Sequence, residues 1–168
     1  IVPDWLGKLI VLSAVGSTIV SVVSEASAVA PSKITAFCAF IVTVLTCVYN
    51  GLPYLKEAID STLNQSYKDF EYLIIDDASP DEDVIKLIES YNDPRIRFVR
   101  NKKNLGVSNT INKALSLITT KYVVRIDQDD VNLPNRIEQQ IDYLEKNPTI
   151  DIVCSWEKTI DSTGKKIR

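Results

Sequence analysis

The sequence predicts an α/β fold with a mostly parallel central sheet and helices on both faces. Three observations lead there. From residue 41 onward, short β-branched apolar runs alternate with longer segments of helical spacing. Turn residues mark the junctions between them. Polar and acidic clusters fall where the apolar runs end. Regular alternation of strand and helix means crossover connections between parallel strands.

The elements follow in order. "IVTVLTCV" (41–48) reads as a buried strand. "YNGLP" is a turn, and Pro53 suits the first position of a helix. Leu55, Ala58, Ile59 and Leu63 mark one face of that helix. "FEYLIID" (70–76) is the second strand. Ser79, Pro80, Asp81 and Glu82 read as a capping box with proline at the first helical position. Val84, Leu87, Ile88 and Tyr91 follow at helical spacing. "RIRFVR" (95–100) is the third strand, and "NKKNLGVS" is a loop in which Ser108 caps a helix carrying Ile111, Leu115 and Ile118. "KYVVRID" (121–127) is the fourth strand. Pro134 opens a helix with Ile137, Ile141 and Leu144 on one face. "IDIVCSW" (150–156) reads as a fifth strand, and "DSTGK" as a hairpin turn into a strand that the chain barely begins.

The first forty residues do not match this pattern. Leu9 to Ser24 is uncharged and rich in Val, Ser and Ala, and Ala-x-Ala spacing follows. The segment is an apolar leader, read as a signal, an anchor, a packed helix or a foreign segment. It is shorter than the roughly 20 apolar residues that a membrane span takes. Residues 41–168 form the second unit. With no Met in the chain, the sequence reads as a processed or excised piece.

Composition removes several function classes. The net charge is −3, so bulk electrostatics hold no nucleic acid. There is no His, which excludes a Ser-His-Asp or Cys-His nucleophile system and any His-ligated zinc within these residues. Cys38, Cys47 and Cys154 lie far apart in apolar runs and read as reduced thiols of a cytoplasmic protein. The five Gly form neither a G-x-G-x-x-G nor a P-loop pattern, so no Gly-rich loop cradles phosphate.

In open α/β sheets, ligands bind beyond the carboxyl ends of the strands. The unusual residues fall there: "CVYN" after the first strand, "DDAS" after the second, and "DQDD" after the fourth. Asp127, Asp129 and Asp130 crowd three carboxylates into four positions. A hard divalent cation, Mg²⁺ or Mn²⁺, answers that crowding. It takes one or two carboxylates and fills its other positions with water and substrate phosphates. The spacing does not match an EF-hand, which needs a central Gly and a terminal Glu.

Three ordered pieces then carry a resemblance: "VTVLTCVYNGLPYLKEAIDSTLNQSYKDFEYLIIDDAS", "NKKNLGVSNTINKAL" and "RIDQDDVNLPNRIEQQIDYLEKNP". Together they resemble the nucleotide-sugar-binding half of the family-2 inverting glycosyltransferases, from about Ile41 to Trp156. The resemblance implies a Rossmann-like GT-A sandwich, truncated at its C-terminus. It implies transfer of a sugar from a nucleotide-diphosphate donor, commonly a UDP-sugar, to the hydroxyl of a saccharide or lipid-linked acceptor. Manganese or magnesium would be the cofactor. Cys47 and Tyr49 match positions that contact the base, Asp77 matches the acid that hydrogen-bonds it, and Asp76 stands beside it. Gly106 lets the loop backbone approach the nucleotide. Asp129 and Asp130 match the ribose and metal pair, and Asp127 with Asp129 makes an alternative D-x-D register. The general base is expected beyond Arg168. The resemblance places the protein in the cytoplasm, and peripheral association with the inner membrane face is compatible with it. The rival reading is a non-catalytic module that binds metal and nucleotide. Arg136 is expected to pair with an acid rather than touch substrate, and Asn104 is expected to shape its turn.

Overall fold

The computed structural model describes residues 8–10, 40–161 and 164–167. Most of the apolar leader lies outside them. The elements are β1 (Lys8–Ile10), β2 (Val42–Val48), α1 (Leu52–Leu63), β3 (Phe70–Asp76), α2 (Glu82–Glu89), β4 (Ile96–Arg100), α3 (Val107–Leu117), β5 (Tyr122–Arg125) and α4 (Arg136–Lys146). Among these residues no helix is long and apolar enough to cross a membrane.

All strand pairs are parallel, in the order β1-β5-β2-β3-β4. Val44 at the centre of β2 faces Tyr72 of β3 on one side and Val124 of β5 on the other. Successive side chains of a strand point to opposite faces. Val42, Val44 and Val48, with Tyr72, Ile74 and Val124, therefore share one core with α1, α2 and α4 through Leu55, Ile59, Val84, Ile88, Ile137 and Leu144. Leu45, Leu73, Ile75 and Val123 meet Ala114 of α3 on the other face.

The split of helices follows from handedness. From β2 to β4 the chain steps outward in one direction, through α1 and α2. From β4 it returns to the far side of β2. Crossovers are right-handed, so reversing the direction moves the connecting helix to the opposite face.

Three expectations are corrected. The box starting at Ser79 does not cap α2. Asp81 does, accepting from the Asp83 N–H at 3.0 Å. Ser79 is already committed: its N–H donates to the Asp76 carboxylate and its Oγ accepts from the Asn50 N–H. Gly106, whose φ of 79° suits glycine, is the N-cap position of α3, and Ser108 lies inside the helix. Its buried residues are Thr110 and Ala114, with Ile111, Leu115 and Ile118 half-buried. Residues 150–156 form no strand: the slot beside β5 is occupied by β1, and Ile152 and Trp156 are exposed. The predicted hairpin turn is present. Ile160 bridges Lys166, and Gly164 donates to the Asp161 carbonyl at 2.9 Å.

The loop between β5 and α4 is held from α1. Gln65 follows α1 and is fully buried. Its Nε2 donates to the Leu133 carbonyl at 2.7 Å and to the Ser61 carbonyl at 3.1 Å. Its Oε1 accepts the Ile137 N–H in the first turn of α4 at 3.1 Å. Helix starts leave such N–H groups without intrahelical partners. Gln65→Leu keeps the volume and strands these groups. It should cost about 2–3 kcal/mol, because an unmet buried polar group costs roughly 1–3 kcal/mol. Urea unfolding measures this, and an unchanged midpoint would refute the assignment.

Candidate functional site

A cleft of about 380 Å³ opens where the strand order reverses, beyond the carboxyl ends of β2 and β5. Six of the eight candidate site residues read from the sequence line it: Cys47, Tyr49, Asp77, Gly106, Asp127 and Asp129. Val48, Asn104, Val107, Thr110 and Gln128 complete the wall. Asp76 and Asp130 are not among the lining residues.

Asp77 and Asp76 are neighbours with different roles. Asp76 ends β3 and is fully buried. Its carboxylate accepts the Ser79 N–H and pairs with Arg100 at 3.2 Å, so it fixes the turn rather than facing the cleft. Asp77 is 4% exposed. One oxygen accepts from Asn101 Nδ2 at 2.7 Å and from the Leu105 N–H at 2.9 Å. The other accepts from the Gly106 N–H at 2.9 Å. Burial pushes the Asp77 carboxyl upward. Hydrogen bonds from Asn101, Leu105, Thr110 and Gly106 outweigh it, and the group is held below the usual carboxylate range. Asp77 thus organises the loop that leads into α3. Asn104 assists, accepting from the same Gly106 N–H through Oδ1 at 3.0 Å.

The three clustered aspartates have protein cations near them: Arg136, and Arg125, which the sequence reading did not single out. Arg125 Nη2 donates to Asp127 Oδ1. Burial pulls the Arg136 guanidinium below its ordinary pKa, and the charges of Asp130 and Asp127 oppose that. Arg136 also donates to Asn132 Oδ1 and to the Arg125 carbonyl. It therefore secures the loop within the field of the two acids. Asp129 is exposed at the cleft wall.

Among the described residues no three His, Cys, Asp or Glu side chains converge into a ligand cage. A hard cation held largely by substrate phosphates takes only one or two carboxylates. Asp129 and Asp127 supply oxygen donors on one wall, and that set fits magnesium or manganese. The environment of Cys47 favours its neutral thiol over the nucleophilic thiolate. Burial pushes its thiol to about 12, with Arg125 opposing and Asp127 and Asp77 adding to the rise.

The rim is built from strained turns tied together. Tyr49 is 44% exposed. Asn50 and Ala78 take left-handed φ values of 54° and 61°. The Asp77 N–H donates to the Val48 carbonyl at 2.7 Å, and the Asn50 N–H to Ser79 Oγ at 3.0 Å. Gln128 is a further residue that sequence patterns did not single out. Its Oε1 accepts the Tyr49 N–H at 2.8 Å and its Nε2 donates to the Tyr49 carbonyl at 3.2 Å.

Comparison with known proteins converges on one family. The model for glycosyl transferase family 2 matches residues 43–168. An uncharacterized glycosyltransferase of Methanocaldococcus jannaschii is 38% identical over 131 residues, 76% of this chain and 45% of that protein. The chain thus spans about half the length of that relative. Among solved structures, S. aureus TarS 1-349 in complex with UDP-GlcNAc has a TM-score of 0.58 at 21% identity, over 64% of this chain and 32% of that one. At that identity the likeness concerns the fold. The mannosyltransferase PcManGT from Pyrobaculum calidifontis, in complex with GDP-Man and Mn²⁺, has a TM-score of 0.56 at 26% identity, over 62% of this chain and 32% of that one.

The Asp77 network makes an acid-stability prediction. Its folded pKa lies below that of the unfolded chain, so its contribution is present above about pH 3.9 and is lost as pH falls through the lower folded value. Asp77→Asn should cost about 2 kcal/mol at pH 7, the scale of charge-assisted hydrogen bonds. The gap to the parent protein should narrow as pH falls below about 3.9. Thermal unfolding across that range reads it, and a gap independent of pH would refute the charged role.

Proposed function

The chain belongs to glycosyl transferase family 2, and from that premise we propose that its cleft holds the nucleotide-diphosphate part of an activated sugar. The chain would then be the donor-binding part of an enzyme that transfers the sugar to an acceptor hydroxyl. One observation carries this reading most directly. A single cleft at the reversal of strand order gathers Asp77, Asp127 and Asp129 from the ends of two strands, beside the exposed ring of Tyr49. The metal and nucleotide sugar in the Pyrobaculum neighbour support it.

Each residue has a role in this reading. Tyr49 offers a flat face for a base to stack on. Asp77 spends three acceptor sites on the Asn101–Gly106 loop. It also lines the cleft, where a base N–H would share a carboxylate oxygen already bonded to that loop. Uridine is the base we assign. Gly106 brings backbone close to the nucleotide without a side chain in the way. Asp129, with Asp127, would hold Mn²⁺ or Mg²⁺, and the cation would neutralise the diphosphate as it leaves. Arg136 fixes the loop through Asn132 and the Arg125 carbonyl, with Asp130 in its field.

In an inverting transfer the acceptor oxygen bonds to the anomeric carbon as the bond to the diphosphate breaks. The acceptor proton goes to a general base. The carboxylates that line the cleft are already engaged: Asp77 in its loop, Asp127 with Arg125, and Asp129 in the proposed metal site. We assign the base to residues beyond Arg168, in the part that would carry the acceptor.

Calorimetric titration of the chain with UDP, GDP and TDP tests the proposal. UDP should bind best in Mn²⁺ and at least about tenfold more weakly in EDTA, about 1.4 kcal/mol. Asp129→Asn should reproduce the EDTA result in Mn²⁺. Absence of binding by any nucleotide would overturn the reading, and equal affinity in EDTA would overturn the metal.

Base selectivity is a separate prediction. A carboxylate facing a base N–H leaves an unpaired group when the wrong base enters. Asp77→Ala should weaken UDP and narrow its advantage over GDP and TDP. If the folded variant keeps the parent's preference, Asp77 shapes its loop and does not read the base.

A further inference from the structure

The pairing between β2 and β5 stops early. Its last paired residues are Leu45 and Arg125, and its last backbone bond runs from the Ile126 N–H to the Leu45 carbonyl. On the other side, β2 stays paired with β3 through Val48 and Asp76. Beyond Leu45, then, the end of β2 is tied on the β3 side and parts from β5. The cleft occupies the gap.

Gln128 spans that gap. Its amide meets the Tyr49 backbone at both the N–H and the carbonyl, with bonds of 2.8 and 3.2 Å. The donor and acceptor of the amide match the acceptor and donor of the peptide, so the side chain acts as an extra rung of the sheet. Gly51 makes room for it. A Cβ on residue 51 would stand 2.5 Å from Gln128 Oε1 and 2.8 Å from its Cδ. Gln128 also lies between Asp127 and Asp129 in sequence, and all three line the cleft with Tyr49.

We propose that Gln128 is a positioning residue that couples the two walls of the donor site. It holds Tyr49, where the base would stack, at a set distance from the aspartates that would meet the diphosphate. This rests on the donor-site reading above. A ligand that touches both walls should gain from the fixed spacing, and a ligand that touches one wall should not. Coupling of this kind is a free energy between sites, commonly worth about 5–150-fold in affinity.

The test uses ligand fragments on the whole chain. Parent protein and Gln128→Met, which keeps the volume but loses both hydrogen bonds, are titrated in Mn²⁺ with UDP, with uridine alone and with pyrophosphate alone. UDP should weaken about tenfold in the variant, while each fragment changes by less than about twofold. Gly51→Ala, which pushes the amide aside without altering it, should give the same pattern and serves if Gln128→Met fails to fold. Equal weakening of all three ligands would mean that Gln128 only supports the structure, and the proposal would fall. An unchanged UDP affinity in folded Gln128→Met would also overturn it. If the parent protein binds none of the three, the donor-site reading falls and takes this one with it.

Discussion

The chain leaves β2 towards β3 and returns to pair with β2 from its other edge at β5, and most of the molecule depends on that reversal. Right-handed crossovers put α1 and α2 on one face and force α3 onto the other. Both faces of β2 and β3 are then covered, which is why these strands are almost continuously buried. Two loops that leave β2 and β5 in opposite senses cannot stay paired beyond the sheet. The opening between them is a consequence of topology before any side chain is chosen.

The polar residues around the opening solve a charge and backbone problem. Three aspartates in four positions repel unless cations or donors lie close. Arg125 meets Asp127, and Arg136 lies in the field of Asp130 and Asp127. The loop that carries these charges is in turn bonded to the end of α1, through Gln65 and through Asn132 on Ser61. The opposite wall uses one carboxylate, Asp77, to collect the amides of Leu105 and Gly106. The fold therefore hydrogen-bonds its own loops at the cleft, and leaves Tyr49 and Asp129 exposed there.

The sequence made the strands legible because apolar runs such as residues 41–48 and 70–76 have few other ways to be buried. The strand-end clusters gave six of the eight site residues a common wall. Other details depend on competition that no pattern shows. Ser79 reads as a cap, but the turn after β3 claims both its amide and its hydroxyl. Asp76 and Asp77 look alike in sequence, yet strand alternation sends one into an ion pair with Arg100 and the other to the cleft. Residues 150–156 have a strand's composition but no free edge beside β5. Gln128 carries no signature because its partner is the backbone of Tyr49, 79 positions away. The Arg125–Asp127 pair could have been anticipated, since residues two apart on a strand point the same way.

Asn50 and Ala78 place two non-glycine residues in the left-handed region, one after β2 and one after β3. Such backbone costs of the order of 1 kcal/mol each and survives only where neighbouring contacts over-determine it. The contacts here are bonds from Asn50 to Ser79, from Asp77 to Val48 and from Ser79 to Asp76. All of them join groups of the rim itself. Contacts of this kind charge the entropy of ordering the rim to folding rather than to association. A ligand whose binding left these bonds in place would bind at a rate set by diffusion and orientation.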